Sequence, residues 1–265
     1  MQNTSNSIYD FHPAVAELYD DLFFQRDDVD FILKLIGERR NWHILEPFCG
    51  TGRILLQLAA KGHFLYGIDN ASNFLQRLQC KSYLLASQYR KNVDIRFADA
   101  LHTSWSNDFH LIVLAANCFY ELPTPEAQEL CIRKAYNALR SGGFVFIDND
   151  HMEGSLSESW QNYNACEAFP TGFSRDGTEM KSTRQAIWFD VSRRLIKFQR
   201  QTFLTEPDGS IQEFSLIQQK HPVSKLEVEH WLINSGFSIL RVFGDYQATI
   251  YNKNSPRAVF WAQKI

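Results

Sequence analysis

The segment Glu46-Pro47-Phe48-Cys49-Gly50-Thr51-Gly52-Arg53 places an acid, two close glycines and a basic residue after a short apolar run. Glycines there let the backbone turn tightly and approach a bound molecule closely. Asp69 closes the next apolar run, seventeen residues after Gly52. A carboxylate in that place can accept hydrogen bonds from both hydroxyls of a ribose. Together they point to a nucleotide-type ligand at the switch point of an open sheet. A dinucleotide fingerprint would need a small residue where Leu55 stands, and no Lys-Ser/Thr pair follows to make a phosphate loop.

A second run, Asp148-Asn149-Asp150-His151-Met152-Glu153, is dense in polar groups. His151 is the candidate general base, tuned by Asp148 or Asp150. The same side chains can instead cap a helix or bind substrate without moving a proton. Clustered carboxylates also suit a hard cation, but no second acidic cluster joins them, and no metal site is expected. Tyr120, close after the fourth apolar run, can orient an acceptor or simply pack in the core. Trp160, Tyr163 and Phe169 read as walls of a substrate pocket or as the core of a covering segment. Arg175 and Arg184 can read a substrate carboxylate, or bridge locally. Tyr246, in Gly244-Asp245-Tyr246 before the last strand, reads as part of a substrate loop, with Tyr251 a further candidate.

The elements that must carry these residues follow from periodicity. Residues 10–39 read as two helices, with Pro13 at the start of the first and Asp27 and Asp28 capping the second. Strands are expected at 42–46, 64–69, 93–97, 109–116 and 144–148. Helices are expected at 54–61, 72–89 and 124–140, the last stopped by Ser141-Gly142-Gly143. Strand and helix in alternation mean a parallel α/β sheet. After residue 150 the rhythm breaks. Residues 155–168 read as helical, and 179–191, 194–205 and 211–221 as long antiparallel strands with Asp208-Gly209 turning the last pair. A helix at 224–235 and strands at 237–244 and 257–264 complete the chain. The expected organisation is an N-terminal helical cap over 1–40, an α/β domain over 41–150 and 223–265, and a β-rich insertion over 151–222.

The motif-I block resembles that of class I S-adenosylmethionine (SAM)-dependent methyltransferases of small-molecule type, in an E-x-x-C-G-T-G-R form. Gly67-Ile68-Asp69-Asn70-Ala71-Ser72, Phe97-Ala98-Asp99-Ala100-Leu101, Leu111 to Glu121 and Leu139-Arg140-Ser141-Gly142-Gly143-Phe144 resemble the later motifs in order and spacing. The resemblance spans about residues 40–150 and the carboxy-terminal strands. It implies a doubly wound, Rossmann-like seven-stranded sheet with SAM as cofactor. It also implies that Glu46, Gly50 and Gly52, with Arg53 closing the motif, surround the methionine part. Asp69 would hold the ribose with Asn70 beside it, and Asp99 the adenine amino group, with the backbone of Ala100 and Leu101 at the ring nitrogens. Asn117 and Cys118 would lie under the methionine, and Tyr9 and Tyr19 would close over the site, Tyr9 toward the substrate. Many members carry glycine where this chain has Phe48. That ring either narrows the cofactor site or packs into the core.

Composition bounds the rest. The 265 residues carry 27 Lys+Arg against 30 Asp+Glu, a net charge of −3. No general attraction to nucleic acid or anionic membrane follows from that balance. No apolar run reaches transmembrane length and the amino terminus lacks a signal pattern. The five cysteines form no CxxC pair, which suits reduced thiols in the cytoplasm. The expected activity is methyl transfer to nitrogen or oxygen of a small molecule. The alternatives are an enzyme that cyclises or cleaves the aminobutyrate chain of SAM and releases methylthioadenosine, and a non-catalytic SAM-binding subunit. The outer face of the insertion sheet makes a homodimer a candidate assembly.

Overall fold

The computed structural model describes residues 7–150, 153 and 160–265. Helices α1 (Ala14–Leu22) and α2 (Asp27–Ile36) lead into β1 (His43–Pro47). There follow α3 (Leu55–Ala59), β2 (Phe64–Asp69), α4 (Ser72–Ser82), α5 (Ser87–Arg90), β3 (Val93–Phe97) and β4 (Phe109–Leu114). A 3-10 turn (Cys118–Glu121), α6 (Pro125–Ala138) and β5 (Leu139–Asp150) come next. Beyond them lie β6 (Cys166–Glu167), β7 (Gly172–Phe173), β8 (Glu179–Asp190), β9 (Leu195–Thr205) and β10 (Ile211–Lys220). The chain closes with α7 (Lys225–Ser235), β11 (Phe237–Phe243) and β12 (Arg257–Lys264).

The first sheet has seven strands in the order β11-β12-β5-β4-β1-β2-β3. Its pairs from β5 through β3 are parallel, while β12 runs antiparallel to β5 and to β11. The order reverses beside β1, so the carboxy ends of β1, β2 and β4 open on one crevice, where a ligand of such a sheet belongs. Ile44, Leu65, Leu111, Ile112 and Val113 are almost wholly buried, as strands covered on both faces should be. One face packs on α6 and α7 through Ile132, Ala135, Val228 and Leu232, and the other on α2, α3 and α4 through Phe31, Ile32, Leu55 and Leu78.

The second sheet, β10-β9-β8-β6 with β7 also on β8, is antiparallel throughout. A third apolar cluster joins it to the amino-terminal segment, where Phe11, Val15 and Leu18 meet Phe74 of α4, Met180 of β8 and Leu204 of β9. The return from β10 to α7 is pinned by Gln128. It is wholly buried, and its amide donates to the carbonyls of Phe119 at 2.8 Å and His221 at 3.0 Å. Helix α7 then starts on a capping box of Ser224 and Glu227. Among the described residues no helix is long and apolar enough to cross a membrane.

Several elements differ from expectation. Helix α4 stops at Ser82 rather than Tyr89, because Tyr83 and Leu84 find no core and are 63% and 87% exposed. Strand β5 begins at Leu139, directly out of α6, because that buried leucine pairs with Phe109 before the chain bends at Gly142. Residues 160–168 form no helix; Cys166 and Glu167 add a short strand to the edge of β8 instead. Asp27 and Asp28 do not cap α2, whose N-cap is Arg26.

Candidate functional site

The loop after β1 carries three successive demands on the backbone. Phe48, Gly50 and Gly52 all have positive φ, at 71°, 53° and 78°. A Cβ on Gly52 would lie 2.6 Å from Leu78 of α4, so only glycine lets the loop sit this close to that helix. Asp69 locks the loop from β2: its carboxylate accepts from the Gly50 N–H at 2.8 Å and the Ala71 N–H at 2.9 Å. A carboxylate has about four acceptor positions, so Asp69, half-buried at the strand end, keeps capacity for a ligand hydroxyl.

Glu46 is the most unusual group in the crevice. It is 6% exposed, and its Oε2 has no hydrogen-bond partner. Burial raises its pKa to about 8, against the opposing pull of Arg53. An orphaned buried acceptor of this kind calls for a donor. The ammonium of a methionine moiety is such a donor, so the residues present fit SAM.

The half-buried Phe48 ring packs against the core cluster containing Leu45, Ile68 and Ala100. A bulky side chain at positive φ costs about 1–2 kcal/mol. Glycine at this position removes that strain but forfeits the packing, whereas alanine forfeits the packing and keeps the strain. Urea denaturation is expected to find Phe48→Ala less stable than Phe48→Gly by about 1 kcal/mol.

The adenine-side residues form a clamped turn. Asp99 accepts from the N–H groups of Leu101 at 2.8 Å and His102 at 3.2 Å, and lies 3.1 Å from the His102 ring. Burial alone would raise its pKa, but those hydrogen bonds hold it below the ordinary value. Trp105 donates to the Ala100 carbonyl at 2.8 Å and Lys134 to the Leu101 carbonyl at 2.9 Å. Both carbonyls are therefore fixed. Asn70 is exposed beside Asp69.

A roof of aromatic rings comes from three separate segments. Tyr9 and Tyr19 pack on Phe74 of α4 with ring centroids 5.4 and 5.0 Å apart, and on Phe169 of the lid at 6.0 and 5.9 Å. The amino-terminal segment is fastened there. Asp10 accepts from the Asn73 N–H of α4 at 2.7 Å, and Asp20 takes Thr51 and Lys81 at 2.6 Å each and Arg77 at 2.9 Å. Burial pushes the Tyr19 hydroxyl up to about 12, Arg53 opposing and the nearby charges of Glu46, Glu121 and Asp69 adding to it. The Tyr9 hydroxyl donates to Glu121 at 3.2 Å, and Glu121 also accepts from Lys220 at 2.8 Å and Gln218 at 2.9 Å.

The polar strand ends bond to one another. Asp148, 0% exposed, accepts from Arg257 Nε at 2.7 Å and from the Tyr246 hydroxyl at 2.6 Å. Asp150 accepts from the Asn117 amide at 2.9 Å and is also held by Arg257. Asn117, at φ 61°, returns a carbonyl to the Asp150 N–H at 2.7 Å. Asp148, Asp150, Asn117 and Tyr246 thus tie the ends of β4, β5 and β12 together. The Tyr120 hydroxyl likewise donates to the Asp150 carbonyl at 2.7 Å, and its ring meets Trp160 at 5.8 Å. Burial raises that hydroxyl above its usual pKa. Cys118 is buried and its thiol is pushed up by that burial, which leaves it inert.

Other expected residues are placed elsewhere. Arg53 pairs with the buried Asp28, with 2.7 Å from Nη1 to Oδ1, and donates to the Gln25 carbonyl at 2.8 Å. Arg175 pairs with Asp21 on the surface at 3.0 Å, because α1 offers it a row of acids. Tyr163 is 55% exposed and packs on Phe189, clear of the roof. His151 lies outside the described residues. Arg257, Arg200, Lys220 and Asp20 are the structural partners that sequence patterning does not single out. Among the described residues no group of three or more His, Cys, Asp or Glu is placed to hold a metal ion.

Residues 44–143 match the family described as a methyltransferase domain. YqeM of Bacillus subtilis (strain 168), provisionally named a methyltransferase, is 25% identical over 223 residues that cover 83% of each chain. Among solved structures, an S-adenosylmethionine-dependent methyltransferase from Clostridium acetobutylicum ATCC 824 has a TM-score of 0.73 at 17% identity, covering 94% of this chain and 97% of that one. The sugar N-methyltransferase KedS8 from Streptoalloteichus sp ATCC 53650 has a TM-score of 0.66 at 15% identity, covering 98% of each. At these identities the solved structures share the fold.

Proposed function

We propose that this chain, a member of the class I SAM-dependent methyltransferases, passes the methyl group of SAM to a nitrogen or oxygen of a small-molecule acceptor. SAM supplies a methyl on a sulfonium, a leaving group that needs no acid. The protein's task is then to hold two molecules in line and keep water out. In this reading residues 41–150 and 223–265 hold SAM, residues 1–40 cap it, and residues 151–222 cover the acceptor. Glu46 takes the ammonium, Asp69 the ribose hydroxyls, and the fixed turn at Asp99, Ala100 and Leu101 the adenine. The acceptor enters between Glu121 and the Tyr9–Tyr19–Phe169 roof. An amine that arrives neutral needs no base, and an alcohol would need one. His151 is the side chain we assign to that task.

The observation that carries the proposal is the aromatic roof, built from three segments, with Tyr9 bonded to Glu121 at 3.2 Å. Apolar rings with a few convergent polar groups suit a small molecule. The likeness to a sugar N-methyltransferase supports trying amines first. The test is mass spectrometry of the protein with SAM and a panel of amines, amino sugars among them. Formation of S-adenosylhomocysteine together with an acceptor heavier by one methylene is the expected result. Methylthioadenosine appearing from SAM alone would overturn the proposal.

A further inference from the structure

The inner face of the lid sheet carries cations that the cofactor does not use. Alternation along β9 turns Ile196, Phe198, Arg200, Thr202 and Leu204 inward, all 8% exposed or less. Arg184 on β8 stands directly opposite Arg200 in the register, so the two guanidinium groups share this face. Like charges directly opposed destabilise a sheet pair, and a buried charge without a counter-ion is costly. Arg200 feels the Glu121 carboxylate, yet among the described residues neither arginine makes a salt bridge. Arg200 donates from Nε to the Gln218 side-chain Oε1 at 2.7 Å and from Nη1 to the Phe169 backbone carbonyl at 3.0 Å. Arg184 lies over the Phe198 ring, 5.3 Å from its centroid. Lys220, 9% exposed, adds a third positive group near β10's end, but Glu121 already takes it at 2.8 Å. The place is next to the roof, since the Phe169 that accepts from Arg200 packs on Tyr9 and Tyr19.

We propose that the acceptor carries an oxyanion, a carboxylate or phosphate, and that Arg200 and Arg184 hold it under the lid sheet. Planar guanidinium forks match such a group geometrically. Its charge would relieve the Arg184–Arg200 opposition at the moment the chamber fills. Arg184 was one of two arginines in the insertion able to read a carboxylate; the structure gives it Arg200 as its partner, in place of the surface-paired Arg175.

This proposal deepens the acceptor reading above and rests on it. Acetate and inorganic phosphate are the probes, titrated calorimetrically into the full-length protein with and without S-adenosylhomocysteine. One or both are expected to bind the wild type. Arg200→Gln and Arg184→Gln are each expected to weaken that binding by roughly tenfold or more, the loss of a charge-assisted contact, while SAM affinity stays unchanged. Arg184 is only half-buried, so its variant serves should Arg200→Gln fail to fold. Neither anion binding the wild type, or equal binding by wild type and Arg184→Gln, would overturn the proposal. Failure of SAM to bind would instead sink the cofactor reading, and the anion titration without S-adenosylhomocysteine would still decide this one. Acetate binding alone would mark a carboxylate acceptor, phosphate alone a phosphorylated one.

Discussion

Replacing Arg257 by alanine is expected to cost about 3–5 kcal/mol of stability, the penalty for stranding a buried charge. Asp148 is wholly buried and has Arg257 as its ion-pair partner at 2.7 Å. Without the guanidinium, Asp148 keeps only the Tyr246 hydroxyl and a long contact to the Ala116 N–H at 3.3 Å. Asp150 and the Asn117 carbonyl lose contacts in the same step. Three strand ends would loosen together, at the edge where the ligand crevice opens. For a chain of this size the loss corresponds to roughly 6–20 °C in melting temperature. The double variant Arg257→Met with Asp148→Leu is expected to recover much of it, since an apolar pair avoids the desolvation cost. A double-mutant cycle that found the two single losses additive would contradict a coupled pair.

Glu46→Gln is expected to weaken SAM binding by about 1.5–3 kcal/mol, or roughly 10- to 150-fold, the value of a hydrogen bond to a charged group. The fold should survive, because amide and acid have the same shape. The pH dependence separates this effect from a structural one. Unfolded, the Glu46 carboxyl titrates near its ordinary 4.5; folded, burial raises it to about 8. Between those values the native state holds a proton that the unfolded state lacks. Its contribution to stability is thus complete below 4.5 and is lost as pH rises through about 8. The ligand-free wild type should lose stability across that window, and Glu46→Gln should lose less. A cationic ligand favours the ionised form, so SAM should bind more tightly as pH rises from 6 to about 7.5 and release a proton as it does. Calorimetry in buffers of different ionisation enthalpy reads that proton, and its persistence in Glu46→Gln would contradict the assignment.

What could be read from the sequence was local. Glu46, Gly50, Gly52 and Asp69 lie within 24 residues, and their types dictate a tight loop facing a strand-end acid, which the Gly50–Asp69 bond at 2.8 Å bears out. The alternation of apolar runs likewise fixed the parallel strands, and Asp208-Gly209 the lid hairpin between β9 and β10. What escaped was pairing at a distance. Arg53 looked like part of a ligand loop because nothing near it in sequence hints at Asp28 in α2. Asp148 and Asp150 read as substrate residues or as partners tuning His151, although their spacing held a clue. Two acids at i and i+2 share one face of a strand, and the buried one, Asp148, needs a cation across the sheet. Arg257, opposite Asp150 in the β5–β12 register, is that cation. The helix expected at 155–168 gave way over 160–168 because a sheet edge was available to capture Cys166 and Glu167.

The central claim is that the crevice beneath the Tyr9–Tyr19 roof holds SAM, with Glu46 as its anchor. Calorimetric titration of SAM into the purified protein tests it most directly. One site per chain is expected, competed by S-adenosylhomocysteine, with affinity falling at least tenfold in Glu46→Gln. No heat of binding and no shift in melting temperature with SAM in excess would contradict the account at its base.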